Sequence, residues 1–176
     1  MGLPTLETER LILRPWSLDD IDALHQVWTD PQVRRYLWDD EVISRQRAAA
    51  AVEDGVAAAN RNGVGLWCVL PKPAGALAGF CGFRYIDDAP DIELLYGLLP
   101  DYWGQGLATE AARAALAYGF DGGGCPLTGN HLVIPKVAAD LRIGPDLVQS
   151  VDVVERPGAQ DQALCFQDGQ AHALPF

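Results

Sequence analysis

Gly104 and Gly106 stand in Leu98-Leu99-Pro100-Asp101-Tyr102-Trp103-Gly104-Gln105-Gly106-Leu107-Ala108-Thr109-Glu110-Ala111, where an apolar strand runs into a glycine-broken loop that opens directly into a helix. Without a Cβ, both glycines let the backbone turn tightly and approach a ligand. The first N–H groups of the helix and its positive dipole end are then free to meet an anion. That combination suits a pyrophosphate. A lone Gly-x-Gly is more often a tight turn or a bulge. Here the preceding strand, the Ala-rich helix that follows and the aromatic pair Tyr102-Trp103 at the rim favour an anion site.

The elements that must position this loop are legible along the chain. Residues 9–15 alternate loosely between apolar and charged and are stopped by Pro15, which predicts a first strand. Ser17-Leu18-Asp19-Asp20 has the form of a capping box, followed by Leu18, Ile21, Leu24, His25 and Trp28 at helical spacing. Pro31 ends that helix, and 32–37 can form a short second one. A longer Ala-rich helix is predicted over 42–59, with Ala48, Val52, Val56 and Ala59 on one face, stopping at Asn60-Arg61-Asn62-Gly63. Residues 65–70, 76–86 and 91–98 are apolar or β-rich and are separated by Pro71-Lys72-Pro73-Ala74-Gly75 and Asp87-Asp88-Ala89-Pro90, so a meander of three antiparallel strands is expected. The loop at Gly104 then leads into a helix over 107–119. Strand, two helices, three strands and a helix make a mixed α+β domain.

The chain has 176 residues, enough for one domain with a substantial core. Its 24 acidic and 13 basic residues give a net charge of -11, which repels a phosphate backbone and so argues against a nucleic-acid partner. Acidity suits a cationic substrate such as an amine, and equally the solubility of a cytosolic protein. Cys68, Cys81, Cys125 and Cys165 form no Cys-x-x-Cys pair and have no His at metal spacing, so no metal is expected. Cys68 and Cys81 fall in neighbouring apolar strands and read as small buried hydrophobes. The chain shows no signal segment, no myristoylation motif and no apolar run of membrane-spanning length, and a cytoplasmic protein without a membrane partner is the expectation.

The run Trp-Gly-x-Gly-x-Ala-Thr-Glu-Ala after an apolar strand resembles the acetyl-CoA loop of the GNAT acetyltransferase superfamily, in the branch typified by RimJ/RimL ribosomal-protein N-terminal acetyltransferases. Leu6-Glu7-Thr8-Glu9-Arg10-Leu11-Ile12-Leu13-Arg14-Pro15 is similar to that branch's opening strand, and Gly79-Phe80-Cys81-Gly82-Phe83 to its third strand. The resemblance covers about residues 6–120. It implies a mostly antiparallel central sheet flanked by helices, a single domain over 1–176, and acetyl transfer from acetyl-CoA directly to a primary amine. That amine is a protein N-terminus, ribosomal or other, or a small molecule, and the protein is a monomer or a homodimer. The other readings are a CoA-binding or degenerate GNAT domain with little or no transferase activity and, more remotely, an unrelated nucleotide-binding module on the same helix N-terminus.

On this resemblance the backbone of Gly104, Gln105, Gly106, Leu107 and Ala108 holds the pyrophosphate, with side-chain help from Gln105 and Thr109. The backbone near Tyr96, Gly97 and Leu98 pairs with the amide arm of CoA. Asp101 stands where the family motif often begins with Gln or Arg. Glu93 is the candidate general base, since the branch commonly places Glu ahead of Ile-Gly-Tyr and a strand carboxylate can take an ammonium proton; Glu93 simply facing solvent is the alternative, and Asp91 a weaker candidate. An α-amine, of reference pKa about 7.7–8.0 against roughly 10.4 for lysine, demands less of that base. A backbone N–H near Leu98 would polarise the carbonyl. Trp28, Tyr36, Trp38 and Phe83 are the candidate acceptor-pocket aromatics, with half of them expected to be core. His25 reads as a satisfied core histidine, and His131 and His172 suggest no triad.

The general acid has no evident candidate. In the family a Tyr, or a Ser in some members, beyond the helix that follows the loop protonates the leaving thiolate, whereas all five tyrosines lie at or before Tyr118. Cys125, Ser150 and Cys165 are the nearest substitutes. Residues 121–165 do not match the family's pattern. From 147–154 and 163–167 two strands joined at Glu155-Arg156-Pro157-Gly158 are expected as a final hairpin. Back-translating 140–150 with GC-rich codons and reading one base later gives Thr-Cys-Ala-Ser-Ala-Arg-Thr-Trp-Ser, close to the family's Asn-x-Ala-Ser-x-Arg. A displaced reading frame is therefore an expectation for this segment, and it predicts no regular helix over 139–149.

Overall fold

The computed structural model describes residues 2–37, 40–73, 75–85 and 92–120, with the backbone of short strands at Leu132–Val133, Cys165–Gln167 and Gln170–His172. In chain order come β1 (Leu6–Glu7), β2 (Leu11–Pro15), α1 (Ile21–Thr29), α2 (Arg45–Asn62), β3 (Leu66–Pro71), β4 (Gly79–Tyr85), β5 (Ile92–Leu98), α3 (Leu107–Phe120), β6 (Leu132–Val133), β7 (Cys165–Gln167) and β8 (Gln170–His172). The first six strands lie side by side in the order β1-β2-β3-β4-β5-β6. Every pairing from β1 to β5 is antiparallel, and β6 joins β5 in parallel. The mixed α+β architecture read from the sequence is the one observed.

Period-two alternation divides the core between the two faces of this sheet. On one face Leu11, Leu13, Trp67, Val69, Cys81, Phe83, Ile92 and Leu94 pack under the small-residue stripe of α3, where Ala111, Ala112 and Ala115 are wholly buried. On the other, Leu66, Cys68 and Phe80 meet Leu24, Val27 and Trp28 of α1 and Ala48 and Val52 of α2. Trp16, Trp28 and Phe80 form an edge-to-face cluster there, with centroids 5.6–6.0 Å apart.

Element ends follow local chemistry. Ser44 caps α2 by accepting the Arg47 N–H at 3.2 Å, and Gly63, at φ 71°, ends it with an N–H to the Ala59 carbonyl. The helix therefore begins and ends three residues later than 42–59. The residues following the first strand's start also behave differently from a single strand. Thr8 donates its N–H to the Leu11 carbonyl at 3.0 Å, which folds 6–15 into a β1–β2 hairpin. The capping box opens as one helical turn, Leu18–Asp20, before α1 proper, and the expected short helix over 32–37 is a single turn at Arg34–Tyr36. In the tail, 165–167 is a strand as expected, but its antiparallel partner is Gln170–His172. Residues 139–149 and 147–154 lie outside the described residues.

Asp20 ties the start of α1 to the sheet. It is 8% exposed, accepts two hydrogen bonds from the Arg14 guanidinium at 2.7 and 3.0 Å, and takes the Ser17 N–H and hydroxyl at 2.7 and 2.8 Å. Burial works to raise its pKa, but the donors of Arg14 and then Ser17 outweigh burial and hold the carboxyl below its ordinary value. A depressed folded-state pKa gives stability that is present above the unfolded value of about 3.9 and is lost as pH falls through the folded value. Asp20→Asn is expected to lower stability by about 1–3 kcal/mol at pH 7. Urea unfolding from pH 7 to pH 2 checks this: the gap between wild type and variant should close below about pH 4, and a constant gap would contradict the assignment.

Candidate active site

The glycine loop departs from the end of β5. The Leu99 N–H donates to the Ala78 carbonyl at 2.8 Å, Pro100 starts a single helical turn, and the Trp103 indole N–H returns to the Leu98 carbonyl at 2.6 Å. Gly104 and Gly106 then take φ values of 71° and 73°, the left-handed region that costs a side-chain-bearing residue about 1–2 kcal/mol. Residues 103–106 are exposed. The Glu110 N–H reaches the Gly106 carbonyl at 3.0 Å, and among the described residues the N–H groups of 104–109 donate to no acceptor. A Cβ on Gly104 would meet nothing within 4 Å. The loop thus presents a row of backbone donors, an open flank and the positive end of α3, all of which suit an anion.

Two residues that the sequence motifs contain but assign no role hold this loop. Glu110, in the first turn of α3, accepts the Thr8 hydroxyl at 2.6 Å, the Arg10 N–H at 2.9 Å and Arg10 Nε at 2.7 Å. Burial works to raise the Glu110 pKa, but these donors, Thr8 foremost, hold it below its ordinary value. Arg10 Nη1 also donates to the Gln105 carbonyl at 2.8 Å. An acidic residue in a first helical turn reads from sequence only as a partner for the dipole. Nothing local connects positions 10 and 110. The Gln105 side chain is also occupied, donating to the Asp101 carbonyl at 2.8 Å.

Beside the loop, no strand among the described residues pairs with the outer edge of β5 beyond Glu93. Its register with β6 comprises Ile92↔Leu132 and Glu93↔Val133, well short of the loop end. Because the Leu99 N–H bonds to β4, antiparallel alternation directs the polar backbone groups of Leu98, Tyr96 and Leu94 away from β4, toward that edge. Side chains alternate too. Leu94, Tyr96 and Leu98 belong to the α3 face, and Glu93, Leu95 and Gly97 to the face covered by α1 and α2. A Cβ on Gly97 would come within 2.9 Å of the Phe80 ring, so only glycine fits there without displacing Phe80.

Glu93 sits on that second face, 20% exposed, with Arg84 Nε 2.9 Å from its carboxylate. Trp28 is 3% exposed and committed to the Trp16–Phe80 cluster. Phe83 is 1% exposed on the opposite, α3 face, so it packs in the core rather than beside Trp28. Tyr36 is 61% exposed. Trp38, Asp91, Cys125, His131 and Ser150 lie outside the described residues. His25 Nε2 donates to the Ile43 carbonyl at 3.0 Å, bracing α1 against the segment before α2. Cys68 and Cys81 are buried, and burial pushes both thiols up to about 12, which leaves them unreactive. Among the described residues no group of three or more His, Cys, Asp or Glu is placed to hold a metal, and no helix is long and apolar enough to cross a membrane.

A sequence profile described as Acetyltransferase (GNAT) domain matches residues 10–158, reaching beyond the motifs that end near 120. The uncharacterised N-acetyltransferase p20 of Bacillus licheniformis is 32% identical over 119 residues, 67% of each chain. The crystal structure of the acetyltransferase from Agrobacterium tumefaciens shares the fold at a TM-score of 0.71 with 22% identity, over 95% of this chain and 96% of that one. RimL, the ribosomal L7/L12 alpha-N-protein acetyltransferase solved with coenzyme A, shares it at 0.59 with 19% identity, over 78% and 80%. With the profile spanning most of its length, the chain belongs to the GNAT acetyltransferase domain family.

Proposed function

We propose that this protein is an acetyl-CoA-dependent N-acetyltransferase that passes acetyl directly from CoA to a primary amine. The observation that carries this is the row of backbone donors at 104–109, with Gly104 open on one flank and α3 behind it. These N–H groups receive the pyrophosphate. The Leu98 N–H, whose carbonyl is taken by the Trp103 indole, and the strand backbone at Tyr96 and Gly97 lie along the amide arm, and an N–H of that edge polarises the thioester carbonyl. Bound acetyl-CoA supplies an activated acyl group on a leaving thiolate.

Glu93 takes the proton that the amine must lose. Its carboxylate shares the face covered by α1 and α2, while the α3 face is closed by packing. Arg84 holds that carboxylate before substrate arrives, and a cationic amine can exchange with the guanidinium without leaving Glu93 unpaired. The amine nitrogen bonds to the acetyl carbon, the carbon–sulfur bond breaks, and the thiolate leaves with a pKa of about 8.5, tolerable without an acid. A general acid adds roughly 10² to 10⁴-fold, so its lack slows transfer without abolishing it. The acceptor class is an α-amine of a protein N-terminus, ribosomal or other, or a small-molecule amine; RimL offers the first as precedent. We place the protein in the cytoplasm as a monomer or homodimer.

A second reading, a CoA-binding domain with little transferase activity, draws on the placement of all five tyrosines at or before Tyr118 and on the engagement of Glu93 by Arg84. Turnover with a panel of amines separates the two.

Two outcomes are expected. Acetyl-CoA at a hundred times its Kd should raise the Tm by roughly 5–10 °C. Gly106→Val should abolish that rise, because a β-branched side chain at φ 73° strains the loop out of its left-handed turn. An undiminished rise in the variant would refute the role of the loop. Glu93→Gln should lower kcat by about 100-fold near neutral pH and leave the KM for acetyl-CoA nearly unchanged. A pH profile like that of the wild type would remove Glu93 from the base role.

A further inference from the structure

We infer that Arg10 and Glu110 form a positioning pair for the anion loop, fixing the 105–106 peptide so that the Gly106 N–H points into the anion site. This rests on the acetyl-CoA role proposed for that loop. Glu110 is held by three donors, the Thr8 hydroxyl, the Arg10 N–H and Arg10 Nε, all between 2.6 and 2.9 Å. A carboxylate gripped in this way fixes the plane of the guanidinium that it faces. The same guanidinium extends Nη1 to the Gln105 carbonyl at 2.8 Å. In a planar trans peptide the C=O and the following N–H point in opposite directions. Drawing the Gln105 oxygen toward the β1–β2 hairpin therefore turns the Gly106 N–H away from it. A Cβ on Gly106 would lie 3.7 Å from Arg10 Nη2, which places the guanidinium against one flank of the loop, while a Cβ on Gly104 would meet nothing within 4 Å.

The pair acts through geometry rather than net charge, since the Glu110 carboxylate already balances the Arg10 cation. Arg10 is 48% exposed at its side chain, so bringing it out of water adds little stability, and holding the hairpin does not by itself require the third bond to Gln105. A lysine at position 10 could satisfy Glu110 or the Gln105 carbonyl, but its single ammonium lacks the fork that spans both.

The test is calorimetric titration of CoA and of 3′-dephospho-CoA into the wild type, Arg10→Lys, Arg10→Ala and Glu110→Gln, with Tm and steady-state kinetics measured alongside. Arg10→Lys, which keeps the charge and the fold, should weaken both ligands alike by about tenfold and raise the KM for acetyl-CoA by a similar factor, with kcat and the amine KM held. Arg10→Ala should do the same or more, and combining it with Glu110→Gln should add nothing further. A lower Tm with unchanged affinities would reduce the pair to a tether and overturn the inference. Loss of CoA binding with 3′-dephospho-CoA binding intact would overturn it as well, because Arg10 would then be a ligand of the 3′-phosphate. Wild-type protein that binds neither ligand would remove the proposed role of the loop, and this inference with it.

Discussion

A single carboxylate, that of Glu110, joins the two ends of the described domain. Residues 8 and 10 close the β1–β2 hairpin, and residue 110 stands in the first turn of α3. The three donors that Glu110 collects lock one to the other. The contact sits where the sheet, the helix and the glycine loop converge. It starts α3 with a negative charge at its positive dipole end and, through Arg10, ties the loop that precedes the helix to the hairpin. Packing along α3 then follows, because Ala111, Ala112 and Ala115 can lie close on the sheet only once the helix axis is fixed.

The two faces of the sheet divide the labour. Under α3 the side chains interlock into a closed layer with Trp67 and Tyr118 edge to face at 5.4 Å, and this layer holds the loop from behind. Under α1 and α2 the packing is aromatic around Trp16, Trp28 and Phe80, and it leaves Glu93 and Arg84 on the same face. A reactant seated on the outer edge of β5 would therefore meet backbone donors along the strand and a carboxylate to one side.

Local signals made much of this legible in the sequence. The Gly104–Gly106 spacing, the stop of α2 at Gly63 and the alternating apolar strands each rest on chemistry within a few residues, and each appears in the fold, whereas the start of α2, expected at 42, lies at the Ser44 cap. The aromatics show where a local reading fails. Phe80 and Phe83 are three apart on one strand, so alternation sends them to opposite faces, and grouping Phe83 with Trp28 as pocket residues overlooked that parity. Arg10 with Glu110, and Arg84 with Glu93, are pairings made by tertiary structure and sheet register, for which a linear sequence carries no period. The β1–β2 turn was hidden for a related reason: Thr8, Glu9 and Arg10 include neither Gly nor Pro to mark it.

The central claim is that this loop and strand edge carry acetyl transfer to an amine. The most direct measurement is the rate of free CoA thiol release from acetyl-CoA, followed with and without primary amines and matched to the N-acetylated product by mass spectrometry. Direct transfer predicts release that depends on the amine and equals product mole for mole. Release that ignores the amine, or tight CoA binding with no release under any acceptor, would contradict it.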